Sequence, residues 1–120
     1  MDNTIIVFQS DNGPNEKSSA FPLRGGKSSY AEGGLRVPSL VVGPNIPAGT
    51  TLHRTQMMHL TDWLPTLLDY AGLDATTLGV DFDGFSFKDV FDNGADSPRE
   101  DIMHLLNDKK VCQLKIVTLI

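Results

Sequence analysis

The sequence predicts an α/β fold with a mostly parallel sheet, and three segments carry that prediction. Residues 4–8 are a continuous β-branched and apolar run, typical of a strand buried on both faces of a parallel sheet. A second apolar run at 37–42 predicts another strand. Leu64, Leu67, Leu68 and Ala71 are spaced i, i+3, i+4 and i+7, which predicts an amphipathic helix over 62–70 that packs this apolar stripe.

The remaining elements follow from local signals in chain order. Residues 14–34 are rich in glycine and predict a loop, and 45–51 predict a turn-rich connector. Asp62 is the expected helix cap because it leaves Pro65 in the first turn, and Gly72 is expected to end the helix. A short helix is predicted at 87–91, and strands at 102–106 and 114–119.

Length and charge exclude several classes of protein. With 120 residues, 40% of them hydrophobic and 21% charged, the chain is a soluble domain or a piece of one. Residues 61–120 hold eleven acidic and five basic side chains, a balance that argues against nucleic-acid binding. No apolar run approaches the roughly 20 residues of a membrane span, and the run at 5–8 is too short for a signal peptide.

The tripeptide Asp11-Asn12-Gly13 comes directly after the first predicted strand, at the sheet edge where α/β proteins bind ligands. A carboxylate and an amide carbonyl are hard oxygen donors that suit calcium or magnesium. An Asx-turn, in which both side chains bond their own loop backbone, explains the same residues.

A second candidate site is the segment 23–27, where Lys27 follows two glycines. Glycines allow a backbone to approach an anion closely, and a lysine supplies a mobile positive charge for sulfate or phosphate. A solvated surface loop is the alternative. Three further residues have structural interpretations: His59 as a capping or packing residue, Arg36 in an ion pair with Glu32 or Asp62, and Cys112 as a buried bystander.

Several spaced blocks, taken together, are more specific than any one of them. They are 8–13 (FQSDNG), 22–27 (PLRGGK), 30–38 (YAEGGLRVP), 62–68 (DWLPTLL), 71–72 (AG) and 83–84 (DG). In this order they resemble the C-terminal half of a sulfatase of the alkaline-phosphatase-like superfamily, and the arylsulfatase B group in particular. The resemblance covers about residues 3–106. It implies part of an alkaline-phosphatase-like sandwich, with the end of the catalytic domain at 1–72 and the beginning of a small C-terminal subdomain at 73–120.

The same resemblance implies roles for three residues. Asp11 and Asn12 would be calcium ligands, and Lys27 would contact the sulfate. In this family the nucleophile is a formylglycine made from the cysteine of a C-x-P-S-R motif. Cys112 is followed by Gln113 and Leu114, so it does not match that motif.

These inferences predict a fragment of an arylsulfatase that acts on sulfate esters, possibly of sulfated glycosaminoglycans, and that is inactive by itself. Its expected partner is a sulfated small molecule or glycan, and the family resemblance places it in the lysosome or outside the cell. A non-catalytic pseudo-sulfatase module that binds sulfated or phosphorylated ligands is the main alternative. A phosphatase or phosphodiesterase of the same superfamily is a third hypothesis.

Overall fold

A computed structural model of the protein describes residues 2–15, 17–47, 56–107 and 110–115. The chain forms two compact units, Met1–Ala48 and Gly49–Ile120. The predicted domain boundary between residues 72 and 73 concerns the organisation of the family and stays a prediction.

The first unit contains a two-stranded antiparallel sheet. Strands β1 (Ile6–Gln9) and β2 (Ser39–Val42) pair with Ile6 opposite Val42 and Phe8 opposite Leu40. This pair therefore does not match the prediction of a mostly parallel sheet. An apolar run indicates that a strand forms, but it does not determine whether the neighbouring strand is parallel or antiparallel.

The β1 strand is also not buried on both faces. Residues opposite each other in an antiparallel pair point to the same face, so Ile6, Phe8, Leu40 and Val42 share one. All four are exposed, Phe8 to 66%. Within the described residues β1 pairs with β2 alone, and this pairing leaves the shared apolar face uncovered.

A single helical turn, α1 (Glu32–Leu35), precedes β2 where the sequence predicts a loop. Glycine is a poor helix former, so the pattern gave no sign of this turn. Both of its glycines, Gly33 and Gly34, are buried. Arg36 pairs with Glu32 across one turn at 3.4 Å, which confirms the first of its two predicted partners.

The second unit begins with the predicted helix. A 3-10 turn (Leu60–Asp62) leads into α2 (Trp63–Tyr70). Asp62 occupies the N-cap position of α2, as predicted, but its side chain makes no capping hydrogen bond to that helix. His59 caps the preceding 3-10 turn, its Nδ1 accepting from the Thr61 N–H at 3.4 Å. Asp62 instead accepts the backbone N–H of His59 at 2.6 Å. The extra 3-10 turn moves the start of the helical segment upstream, and the capping role predicted for His59 is confirmed.

The predicted end of α2 is confirmed. Gly72 has a φ of +73°, in the left-handed region. Its N–H donates to the carbonyl of Asp69 at 3.1 Å, and the N–H of Leu73 donates to that of Leu68 at 3.0 Å. These two bonds form a Schellman motif, which satisfies carbonyls left open at the end of the helix.

The buried face of α2 differs from the predicted leucine stripe. Leu64 is 54% exposed and Leu67 is 40% exposed. Trp63 is buried instead, and its ring stacks on Phe91 of α3 (Lys88–Asn93) with 5.8 Å between centroids. The helix turns Trp63 inwards because α3, its packing partner, places Phe91 there.

Two buried polar residues of α2 and the preceding turn tie the second unit together. Asp62 is fully buried and accepts Nη2 of Arg99 at 2.6 Å, Nε of Arg99 at 3.0 Å and the N–H of Phe85 at 2.8 Å. Thr66 is also fully buried; its hydroxyl donates to the Asp62 carbonyl and accepts the N–H of Phe87 at 2.9 Å. These bonds satisfy the polar groups that burial would otherwise penalise.

A hairpin follows α3. Strand β3 (Asp101–Asn107) confirms the predicted strand at 102–106. Strand β4 (Lys110–Lys115) begins four residues before the predicted 114–119, of which 116–119 lie outside the described residues. The backbone of Cys112 lies in β4 opposite Leu105. Across the described ranges, no helix has the length and apolar character that a membrane span requires.

Candidate functional site

The two predicted metal ligands lie directly beyond the end of β1, in the first unit. The Ser10 hydroxyl donates to the Asn12 carbonyl at 2.9 Å, and Asn12 Nδ2 donates to the Gly13 carbonyl at 2.9 Å. This second bond uses the amide nitrogen of Asn12 as a donor and leaves Oδ1 as an acceptor. Asp11 is exposed, and its carboxylate makes no hydrogen bond or ion pair within the described residues. Asn12 thus bonds its own loop, whereas Asp11 does not.

Gly13 brings this loop against α1. Its N–H donates to the Gly34 carbonyl at 3.0 Å. A Cβ at residue 13 would overlap the carbonyl of Gly33 and stand 2.8 Å from the Cα of Gly34. The two main chains therefore touch at a position where only glycine fits.

The segment that carries Lys27 is held against the same loop. The Lys27 N–H donates to the Pro14 carbonyl at 2.8 Å, and a Cβ at Gly26 would stand 2.5 Å from that same oxygen. The backbone of Lys27 therefore bonds a residue three positions after Asp11. This contact brings the two segments predicted from the sequence into one part of the first unit.

Lys27 lines an open cleft of about 360 Å³. The other described residues of the lining are Asn15, Lys17 and Ser28. Asp11 and Asn12 are not among them, so the structure brings the two segments together without directing all three predicted side chains into this cleft. Sequence reasoning missed Lys17, and the sequence signal is weak: a lysine in a polar loop is ordinarily a solvated side chain.

The oxygen donors at the end of β1 are of the type that binds calcium, but they are fewer than calcium requires. The Asp11 carboxylate and the Asn12 Oδ1 are both hard oxygen ligands, and neither is taken by another described group. Calcium takes about six to eight oxygens. No group of three or more acidic, histidine or cysteine side chains converges anywhere in the described part of the chain. These residues therefore fit one portion of a calcium site.

A comparison with known protein families and proteins gives concordant matches. A family model described as Sulfatase matches residues 1–73, more than half of the chain. The chain is 38% identical over 104 residues to arylsulfatase J of Mus musculus, covering 85% of the chain. It is 32% identical over 107 residues to arylsulfatase A of Homo sapiens, again covering 85%. It is 39% identical over 79 residues to N-acetylgalactosamine-6-sulfatase of Canis lupus familiaris, covering 60%.

The matched region is a small part of each relative. The chain spans 17% of the mouse protein, 20% of the human protein and 15% of the dog protein. The matches therefore concern one segment of those proteins. The residues that the family model matches, 1–73, contain β1, the Lys27 loop and α2.

Proposed function

The chain belongs to the sulfatase family, and from that premise we propose that it contributes to the hydrolysis of sulfate esters by holding the charged oxygens of the ester. The observation that supports this proposal is the placement of Lys27. Lys27 is exposed and is one of the residues that line an open cleft, and its backbone is bonded to the loop that carries Asp11 and Asn12.

The chemistry of the reaction explains why such a residue is needed. When a nucleophile attacks the sulfur of a sulfate ester, the S–O bond to the leaving group breaks and negative charge is redistributed over the oxygens. An ammonium fixed beside those oxygens stabilises the charge where it develops. Lys27 is suited to this role because its backbone is fixed by the bond to Pro14 while its side chain remains exposed to a ligand.

Calcium is proposed as the cofactor, with Asp11 and Asn12 supplying two of its ligands. A bound divalent cation polarises a sulfate oxygen and adds positive charge that the chain's own residues do not provide. Asp11 contributes a negative charge to the metal, and Asn12 contributes a neutral oxygen that the bond to Gly13 holds in place.

The nucleophile is not expected within these residues. The 120 residues contain no C-x-P-S-R motif, and Cys112 lies in β4 of the second unit. We therefore expect the chain alone to bind sulfate without turnover of an aryl sulfate. Calcium-dependent release of a phenol from an aryl sulfate by the purified chain would overturn this part of the proposal. The non-catalytic module and the location in the lysosome or outside the cell stay predictions.

Binding is tested by calorimetric titration of the full chain with a monosulfated N-acetylgalactosamine, before and after Lys27→Gln. A charge-assisted hydrogen bond contributes about 1.5 kcal/mol at the low end, so the substitution should weaken binding roughly tenfold. Arg24→Gln is the matched control, because Arg24 is an exposed cation of the same unit that does not line the cleft. Equal affinities for the Lys27→Gln and unmodified chains would refute the role of Lys27.

A further inference from the structure

The buried residues in the described part of the first unit are all glycines, namely Gly13, Gly33 and Gly34. The apolar side chains of β1 and β2 are exposed or only partly buried. Gly33 and Gly34 belong to α1, within the sequence block 30–38 (YAEGGLRVP), which has no role in the proposed function. The interior of this unit is therefore made where main chains meet at α1.

Gly34 lies against both segments that carry the candidate site residues. Its carbonyl accepts the N–H of Gly13, in the loop after β1, at 3.0 Å. A Cβ at this residue would overlap the carbonyl oxygens of Ser29 and Gly26, which lie on either side of Lys27 in the chain. One residue of α1 thus contacts the loop of the predicted metal ligands and the turn of the predicted sulfate ligand.

Further bonds tie the Lys27 segment to α1. The Gly33 N–H donates to the Arg24 carbonyl at 2.8 Å. The Ser29 Oγ accepts the N–H of Ala31, the N-cap of α1, at 3.1 Å. The segment is therefore attached to α1 and its cap both before and after Lys27.

These contacts close a ring of main-chain groups. The Gly34 carbonyl holds Gly13, and the carbonyl of the next residue, Pro14, accepts the Lys27 N–H at 2.8 Å. From Lys27 the ring returns through the Gly26 carbonyl to the Cα of Gly34. A shift of the main chain at Gly34 is therefore passed on to Lys27.

The requirement for glycine at residue 34 is one of space. The residue is helical, a conformation that alanine favours over glycine. The atoms that a Cβ would meet are carbonyl groups of the main chain, which cannot rotate away as the end of a side chain can. Gly34→Ala should therefore displace the turn that carries Lys27.

We propose that Gly34 is a positioning residue for sulfate binding: by letting the main chains meet at α1, it fixes the turn of Lys27 relative to the loop of Asp11 and Asn12. This inference rests on the proposed function, because Gly34 acts only through Lys27. Gly34 itself is buried and offers no side chain to a ligand.

The test is a double-mutant cycle between Gly34→Ala and Lys27→Gln, with monosulfated N-acetylgalactosamine as the probe in calorimetric titration of the full chain. Gly34→Ala should weaken binding by up to about tenfold, the loss expected from Lys27→Gln. In the Lys27→Gln background it should weaken binding no further, because the effects of residues that act through one another do not add. Gly43→Ala is the matched control. A Cβ at Gly43 would stand 3.0 Å from Cγ1 of Ile5, a side chain that can move aside, so the affinity should not change.

Amide hydrogen exchange distinguishes a displaced turn from an unfolded unit. In Gly34→Ala the Lys27 N–H, which bonds the Pro14 carbonyl at 2.8 Å, should exchange faster than in the unmodified chain. The Ser10 N–H, which bonds the Pro38 carbonyl at 3.2 Å, should keep its rate.

If both amides exchange faster in Gly34→Ala, a milder variant decides. Ser29→Ala removes the Oγ that accepts the Ala31 N–H and adds no atom to the contact. It should weaken binding in the unmodified background and leave it unchanged in the Lys27→Gln background. Unchanged affinity in the unmodified background would contradict the positioning role of α1.

The outcomes separate this inference from the proposal on which it rests. An unchanged affinity in a folded Gly34→Ala chain, or an equal loss in both backgrounds, overturns the role of Gly34 and leaves that of Lys27 intact. If Lys27→Gln binds the monosulfated sugar as tightly as the unmodified chain does, the proposed function fails instead. Absence of binding by the unmodified chain overturns both.

Discussion

The buried ion pair between Asp62 and Arg99 makes a strong prediction about the stability of the second unit. The Asp62 side chain is fully buried and that of Arg99 is 10% exposed. Replacing Arg99→Met keeps an unbranched apolar stem over the ring of Phe85, where the guanidinium carbon lies 4.9 Å from the ring centroid. It removes two of the hydrogen bonds to the Asp62 carboxylate and leaves that charge buried.

The magnitude follows from those two bonds. Each charge-assisted hydrogen bond contributes roughly 1.5–3 kcal/mol, and removing one partner of a buried pair costs about 3–5 kcal/mol. The carboxylate of Asp62 keeps its hydrogen bonds from the N–H groups of His59 and Phe85 in the variant. We therefore expect the free energy of unfolding to fall by about 3 kcal/mol, the lower end of the range for a broken buried pair. With a urea m-value of about 1.5 kcal/mol per molar, the unfolding midpoint should fall by about 2 M.

Trp63 provides the assay, since it is the single tryptophan and stacks on Phe91 within the same unit. Its fluorescence during urea unfolding gives the midpoint for each variant. Lys88→Met is the matched control, because it removes an ion pair in which Lys88 is 40% exposed. Exposed pairs contribute little, so its midpoint should move much less. If Arg99→Met shifted the midpoint no further than Lys88→Met, the buried pair would not stabilise the unit as argued.

Two further predictions concern buried or partly buried polar groups of the same unit. Thr66→Val keeps the shape of the side chain but leaves the N–H of Phe87 without its 2.9 Å acceptor, so the free energy of unfolding should fall by about 1–3 kcal/mol. Thr66→Ser keeps the hydroxyl and should retain most of the free energy of unfolding. Equal losses in the two variants would contradict the role of the hydroxyl. Burial and the 2.7 Å hydrogen bond to Asp92 raise the pKa of Tyr70. The protonated phenol is therefore favoured in the folded state, and stability should decline as the pH rises above the ordinary tyrosine pKa of about 10. Urea midpoints measured across that range should show a steeper decline for the unmodified protein than for Tyr70→Phe, and parallel declines would refute this.

Local signals in the sequence predicted those elements whose causes are local. The turn after α2 follows from Gly72, which can take a positive φ, and the presence of β1 and β2 follows from their apolar runs. The antiparallel pairing of the two strands could not be predicted, because the thirty or so residues between them form no regular crossover that fixes a direction.

Local sequence patterns could not predict contacts between residues that are distant in the sequence. Asp62 was predicted as a helix cap, and its partner Arg99 lies 37 positions later in a loop. The buried side of α2 depends on where α3 places Phe91, so the spacing of leucines indicated an apolar face without showing which face would be covered.

The candidate site was predictable only in part, because some of its residues belong to local motifs and others are brought together by the fold. Asp11, Asn12 and Lys27 each belong to a recognisable motif, and the motifs gave these residues their proposed roles. Lys17 belongs to no motif. Its place on the cleft depends on the turn at Asn15 and on the bond between Lys27 and Pro14, which only the fold reveals.

The main-chain contacts among Gly13, Gly26 and Gly34 have a consequence for how such a site can diversify. The bond that holds the backbone of Lys27, from its N–H to the Pro14 carbonyl, is likewise a main-chain bond. Substitutions in the short polar stretch 15–19 can therefore change the lining of the cleft while the backbone of Lys27 keeps its bond to Pro14. Libraries randomised at 15, 17 and 18 should yield altered ligand preference far more often than loss of folding.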